Sequence, residues 1–191
     1  MSVLVVAPHP DDAELGAWSL LSGATILCLT HGGAVDPRGD EARRAAKISA
    51  ARLIACCFPD GELTVTPGLV ARIEHAIEAT GAEVVAGPPL SDEHQDHAAA
   101  ARAVRAATRR TPLTVLEYET PSTPPGWEPD TYMPLSAASL AERERALGEF
   151  ASQAGRPYMA PETARARAAV RGQRVGLSAA EAFRTVRRVG V

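Results

Sequence analysis

"VLVVAPHPDDAELG", residues 3–16, decides how this chain folds. Val3-Leu4-Val5-Val6 is a short apolar, β-rich run of the kind buried on both faces of a sheet. Pro8 and Pro10 flank His9, set the turn and remove two backbone donors. From Asp12 to Ser22 the composition suits a helix, with Asp12 and Glu14 in its first turn and Gly23 just beyond its end. A buried strand running straight into a helix is the opening of a βαβ unit. His9, Asp11 and Asp12 therefore stand at the carboxyl end of the first strand, where open parallel sheets place their ligands.

The pattern repeats along the chain. Thr25-Ile26-Leu27-Cys28-Leu29-Thr30 reads as a second strand. Residues 40–54 read as an Ala- and Arg-rich helix with Ala42, Ala45, Ala46, Ser49 and Leu53 on one side, and Pro67 to Thr80 as a third helix ended by Gly81. Glu83-Val84-Val85-Ala86 is a strand, 95–109 a helix and Leu113 to Tyr118 a strand. Strands alternating with helices predict right-handed crossovers and a mostly parallel sheet, a three-layer αβα Rossmann-like fold. After Tyr118 the character changes: "ETPSTPPGWEPDTYMP", residues 119–134, carries five prolines and reads as a loop. Helices are expected near 137–152, 161–172 and 179–187. No internal repeat or domain boundary is visible. The expectation is one domain over 1–191, with an α/β core over 1–118 and a Pro-rich loop and helical extension over 119–191.

Composition narrows the class. A chain of 191 residues with 46% hydrophobic content suits one packed domain. No apolar run approaches the roughly 20 residues of a membrane span, and the first residues lack the features of a secretory leader. Cys28, Cys56 and Cys57 form neither a disulfide framework nor a C-x-x-C metal pair and read as core residues. A reduced, cytoplasmic setting is the expectation. The net charge of -3 divides unevenly: residues 142–191 carry ten Arg and five Glu, +5, against -8 elsewhere. The arginines are scattered with few aromatics between them, which argues for solvated helix faces and against nucleic-acid binding.

A second cluster answers the first. "SDEHQDHAAA", residues 91–100, places His94, Asp96 and His97 just past the Val84-Val85 strand and at the start of a helix. Two His-Asp clusters at one edge of one sheet suit a divalent metal of the zinc type, because imidazole and carboxylate are its usual ligands. Three protein ligands leave a position for water, and hydrolysis then also needs a base and a group to meet the developing oxyanion. One carboxylate at the first cluster and one histidine at the second are left over for those tasks. Asp12 alone is also explained as a helix N-cap; that leaves Asp11 without a structural task.

These two stretches, His9-Pro10-Asp11-Asp12-Ala13-Glu14-Leu15-Gly16 and His94-Gln95-Asp96-His97, resemble the PIG-L/LmbE-like zinc de-N-acetylase family, which includes deacetylases of mycothiol and bacillithiol biosynthesis. Supporting stretches are Leu29-Thr30-His31-Gly32, Arg38-Gly39-Asp40-Glu41-Ala42 and Phe58-Pro59-Asp60-Gly61, with weaker likeness at Ser152-Gln153 and Ala180-Glu181-Ala182-Phe183. The resemblance implies His9, Asp12 and His97 as ligands of zinc, or of ferrous iron in its place, and Asp11 as general base. It implies His94 as the protonated group that meets the oxyanion or the leaving amine, oriented by Asp96, and Arg38 and Asp60 as contacts to sugar hydroxyls. Arg43 or Arg44 takes the Arg38 role if the loop aligns differently, and Asp60 reads equally as a turn residue before Gly61. Two positions depart from the family pattern. Ala13 separates the paired aspartates from Glu14, which reads as a helix-start carboxylate. Position 92 is Asp, where some relatives have an assisting tyrosine. Trp127 and Tyr132 are candidates for a lid over a sugar ring, or for anchors that pin their loop.

The expected activity is metal-dependent hydrolysis of the acetamide of an N-acetylated amino sugar or a small N-acetylglucosaminide conjugate. The alternatives are an amidase acting on a non-sugar N-acyl compound and a non-catalytic carbohydrate- or metal-binding module. A dinucleotide-binding domain is excluded because no G-x-G-x-x-G follows the first strand. The expected partner is a small N-acetylated molecule, without nucleic acid or a membrane span; a homo-oligomer is compatible with the sequence.

Overall fold

The computed structural model describes residues 1–30 and 37–190; His31 and Gly32 of the supporting stretch lie outside them. β1 (Val3–Ala7) leads into α1 (Asp12–Gly16) and a 3-10 turn (Trp18–Leu20), then β2 (Thr25–Thr30), α2 (Arg38–Ile48) and β3 (Arg52–Phe58). α3 (Pro67–Thr80), β4 (Val84–Gly87), α4 (Gln95–Thr108) and β5 (Thr114–Tyr118) follow. The chain closes with β6 (Thr131–Pro134), α5 (Ala137–Gly148), α6 (Pro161–Gln173) and β7 (Ala180–Arg187).

One seven-stranded sheet runs in the order β3-β2-β1-β4-β5-β7-β6. The first five strands are parallel, with Val5 opposite both Ile26 and Ala86, while β7 runs antiparallel to β5 and β6. Alternate residues of the central strands serve opposite layers. Val3, Val5, Ala7, Ile26 and Ala86 pack with residues of α1, α2, α5 and α6. Leu4, Val6, Leu27, Leu29 and Val85 pack with residues of α3 and α4. That two-sided burial is why β1 and β2 are continuously apolar. Among the described residues no helix is long and apolar enough to cross a membrane.

Helix boundaries follow local chemistry. α3 begins at Thr66, whose side chain accepts from Leu69 N–H at 3.2 Å, has Pro67 at its first position, and ends at Gly81 with φ 58°. α5 begins at Ser136, capping Ser139 N–H at 3.0 Å.

Four expectations differ from the structure. The helix over 40–54 stops at Ile48, and Ala50 turns the chain with φ 56° into β3. β3 is an edge strand and only half covered, so its pattern merged with the alanine stripe before it. The helix over 12–22 is one turn of α1 and a separate 3-10 turn. The helix over 179–187 is β7: Ala, Glu and Arg favour helix, but pairing with β5 and β6 and burial of Ala180 through Phe183 override that preference. The Pro-rich loop contains β6. Two segments of residues 119–191, β6 and β7, thus complete the sheet.

Gly16 lets the end of α1 pack closely against the end of β5. A Cβ there would collide with the Glu119 carbonyl and with the Tyr118 ring, whose Cδ2 would lie 2.5 Å away. Gly16→Ala is expected to cost about 1–3 kcal/mol through overpacking, read as a lower urea midpoint at unchanged slope.

Candidate active site

β1 and β4 are neighbours in the sheet, and the strand order reverses between them. Their carboxyl ends therefore flank a topological switch point. This brings His9-Pro10-Asp11-Asp12 against His94-Gln95-Asp96-His97 at one mouth. A cavity of about 470 Å³ opens there, lined by His9, Asp11, Asp12, His94, His97 and Arg38, among others.

Three donor atoms converge. His9 Nδ1 lies 3.3 Å from Asp12 Oδ2 and 3.1 Å from His97 Nε2, and His97 Nε2 lies 3.2 Å from Asp12 Oδ2. A triangle with sides near 3.2 Å matches the edge of a tetrahedron with metal–ligand bonds of about 2.0 Å. The residues fit a divalent cation of the zinc type. His94 is close behind, its ring 4.8 Å from that of His97 and 4.7 Å from that of His9. Ring nitrogens of His9, His94 and His97 also lie within 4.8 Å of one another.

Carboxylates behind the triangle hold the rings. Asp96 Oδ2 accepts from His9 Nε2 at 3.0 Å and from Gly61 N–H at 2.7 Å, and its other oxygen accepts from Leu63 N–H at 3.0 Å. Asp92 lies 3.3 Å from His97 Nδ1 and takes hydrogen bonds from Ser122, Thr120 and the His94 N–H. This is the carboxylate–imidazole arrangement that fixes the tautomer of a metal-binding ring. It revises one expectation: the Asp96 carboxylate supports His9, and only its backbone N–H reaches His94, at Nδ1, 3.2 Å. Asp92, noted in the sequence only as a departure, is the residue that supports His97.

Asp11 sits at φ 98°, ψ -29°, a left-handed conformation costly for any residue but glycine and least so for Asn and Asp. Burial, followed by the charges of Asp12 and Glu14, pushes its pKa well above the ordinary carboxylate value. Burial works against the charge on Asp12 as well, but the imidazoles of His97 and His9 overcome it and hold that carboxyl far below the usual range. Neighbouring carboxylates are driven apart, one toward holding a proton and the other toward permanent charge. Burial opposes the charges of His9 and His97 too, yet Asp12 raises them to about 9 and about 10, with Asp96 assisting His9 and Asp92 assisting His97. His94 goes the other way: burial and the positive charges of His97 and His9 lower its pKa. With its Nδ1 accepting a backbone N–H, the neutral ring carries its hydrogen on Nε2. Burial and these two positive charges work against the imidazolium that the family resemblance implies for His94.

Arg38 and Asp60 both line the cavity and pair with each other, Nη2 to Oδ2 at 2.6 Å, while Asp60 Oδ1 lies 3.2 Å from His9 Nε2. Arg43 pairs with Asp40 and Arg44 with Glu149, and neither lines the cavity. Glu14 is buried, and burial with the Asp12 charge raises it to about 7, so it is more than a solvated helix-start carboxylate. Trp127 is an anchor: it is buried, its Nε1 donating to Glu117 at 3.3 Å with the Arg171 guanidinium over its ring. Tyr132 lies in β6. The aromatic residue that does line the cavity is Tyr158, with Gln153 and Arg156 beside it. Only the Ser152-Gln153 pair hinted at that wall.

The sequence pattern of the PIG-L family, GlcNAc-PI de-N-acetylase, matches residues 4–108, more than half of the chain. The chain belongs to the PIG-L family. No curated protein matches the sequence significantly. Among solved structures, this PIG-L chain is similar to the conserved protein TT1542 from Thermus thermophilus, with TM-score 0.83 and 28% identity over 99% of this chain and 96% of that one. It is also similar to GalB, the 4-carboxy-2-hydroxymuconate hydratase from Pseudomonas putida, with TM-score 0.82 and 20% identity over 100% and 98% of the two chains. The N,N'-diacetylchitobiose deacetylase from Pyrococcus horikoshii gives TM-score 0.76 and 15% identity over 97% and 83%. At these last two identities the likeness is one of fold. The PIG-L assignment and the αβα architecture agree with the sequence reading.

Binding of a cation at the triangle would depend on pH. At pH 7 the raised imidazoles of His9 and His97 hold protons that a cation must displace. Metal affinity is expected to rise between pH 7 and 9, by roughly tenfold per pH unit for each displaced proton. Calorimetric titration in buffers of different ionisation enthalpy would show release of about two protons, whereas a flat profile contradicts the geometry. Asp92→Asn is expected to weaken metal binding by about 10–100-fold, measured by competition with a chelating dye.

Proposed function

We propose that this protein is a metal-dependent N-deacetylase that cleaves the acetamide of an N-acetylated amino sugar or small N-acetylglucosaminide conjugate, releasing acetate and a free amine. The observation that carries the reading is the juxtaposition of the donor triangle with Asp11, a carboxylic group of raised proton affinity in the same cavity. A pure binding site has no use for a strained carboxyl of raised proton affinity beside its ligands.

His9, Asp12 and His97 would hold the cation, zinc by the chemistry of the donors or ferrous iron in its place. Such a cation polarises an amide carbonyl and acidifies water. The ionised Asp11 carboxylate, made more basic by burial and its charged neighbours, takes a proton from the attacking water as the water oxygen bonds to the acyl carbon. It then delivers that proton to the amine nitrogen as the C–N bond breaks. The His94 Nε2–H donates to the carbonyl oxygen as negative charge builds there, a role that a neutral ring fills. Asp96 and Asp92 keep the His9 and His97 rings in register. The Arg38–Asp60 pair offers a donor and an acceptor to sugar hydroxyls at the cavity wall.

Asp11→Asn keeps the local backbone, since Asn tolerates the left-handed conformation. It is expected to retain metal and to lose about 10²–10⁴-fold in kcat, measured as free-amine release from a panel of N-acetylglucosaminides and N-acyl amino acids. Unchanged turnover removes Asp11 from the mechanism. Release from N-acyl amino acids alone replaces the sugar, and hydration of an unsaturated dicarboxylate with no amine release overturns the hydrolase reading.

A further inference from the structure

Thr-Pro-Ser-Thr-Pro-Pro, residues 120–125, leaves β5 beyond the family match at 4–108 and takes no part in the chemistry above. The segment is firmly held. Pro121, Pro124 and Pro125 fix φ along it. The Thr123 N–H closes a turn onto the Thr120 carbonyl at 3.2 Å, and the Glu93 N–H donates to the Ser122 carbonyl at 3.1 Å. Just past it, buried Trp127 pins the chain.

The hydroxyls of this turn converge on one buried carboxylate. Thr120 Oγ1 donates to Asp92 Oδ2, and Ser122 Oγ donates to Asp92 Oδ1 at 2.6 Å, beside the His94 N–H at 3.0 Å. Thr123 Oγ1 accepts the Thr120 N–H at 2.8 Å and stands 3.1 Å from Thr120 Oγ1 and 3.4 Å from Asp92 Oδ2. A hydroxyl carries one hydrogen, and an ionised carboxyl only accepts. With its hydrogen directed to Asp92, Ser122 Oγ meets His97 Nδ1 at 3.4 Å with a lone pair, as Asp92 Oδ2 does at 3.3 Å. Two acceptors face that nitrogen, so it must be the donor of the ring. In a neutral imidazole the other nitrogen is then bare. That nitrogen is Nε2, the atom that completes the triangle with His9 and Asp12.

We propose that Thr120 and Ser122 are positioning residues of the metal centre, which commit Asp92 to accepting and so lock His97 with its hydrogen on Nδ1 and its Nε2 free for a divalent cation. The inference rests on His97 as a ligand in the reading above. It gives the Pro-rich turn after β5 a part in cation binding.

The test measures zinc affinity by competition with a chelating dye, with the urea midpoint of each variant as a check on folding. Thr120→Val and Ser122→Ala are each expected to weaken zinc binding by about tenfold. Ser122→Ala, at the cavity rim, carries the test if Thr120→Val does not fold. Thr120→Ser, which keeps the hydroxyl, stays within about twofold of wild type, and in an Asp92→Ala background Thr120→Val costs almost nothing more, because its effect passes through that carboxylate. In the zinc-loaded wild type, 15N NMR of labelled histidine is expected to find the His97 hydrogen on Nδ1. Unchanged affinity in Thr120→Val and Ser122→Ala overturns the proposal, as does a full additional loss in the Asp92→Ala background or a hydrogen on Nε2. If zinc binding follows the hydroxyls but no amine is released from any N-acetylated compound, the hydrolase reading fails and the positioning role stands. If amine is released and zinc affinity ignores the hydroxyls, the reverse holds. A wild type that binds no divalent cation overturns both.

Discussion

A carboxylate shut away from water organises this molecule. Asp12 is 3% exposed, and its Oδ2 accepts the His9 N–H at 2.8 Å while facing two imidazoles. Charge removed from water costs several kcal/mol unless it is met by partners in good geometry. The turn after β1 must therefore fold back on itself, and the start of α4 must arrive within hydrogen-bond distance. The neighbouring positions of β1 and β4 in the sheet supply that meeting without any long loop. The same electrostatics that tie Asp12 down push Asp11, one residue earlier, toward keeping a proton.

The second half of the chain braces this centre through buried polar contacts. Arg143, 2% exposed, donates to the Glu14 carbonyl at 2.9 Å and to the Leu15 carbonyl, closing the far end of α1. Glu181 on β7 accepts from the Trp18 and Ser19 N–H groups at 2.9 and 2.6 Å and lies 3.7 Å from the Arg143 guanidinium. A five-residue helix has little stability of its own, so α1 depends on these struts to present Asp11 and Asp12.

Much of this was legible in the sequence, for identifiable reasons. β1, β2, β4 and β5 are buried on both faces, so their apolar runs are unbroken, and α3 carries a cap, a proline and a glycine at the expected places. The His-Asp clusters stood out because polar residues seldom crowd a strand end without purpose. What stayed hidden depends on partners remote in sequence. β7 is composed like a helix and becomes a strand only because β5 and β6 flank it. The supporting roles of Asp92 and Asp96 are set by which ring nitrogen each carboxylate meets. Tyr158 and Arg156 reach the cavity through the path of the chain between α5 and α6, which no local pattern encodes.

The place of β7 in the sheet has a consequence for how the protein is made. Glu181, which steadies the turn after α1, is separated from Trp18 by 163 positions. Contacts of such long separation form late and slow the folding of the whole. During synthesis the strands up to β5 can pair before β7 has left the ribosome, but α1 lacks its brace until then. The turn that follows α1 is braced only once β7 joins the sheet, so early folding yields strands, and late folding completes the candidate site.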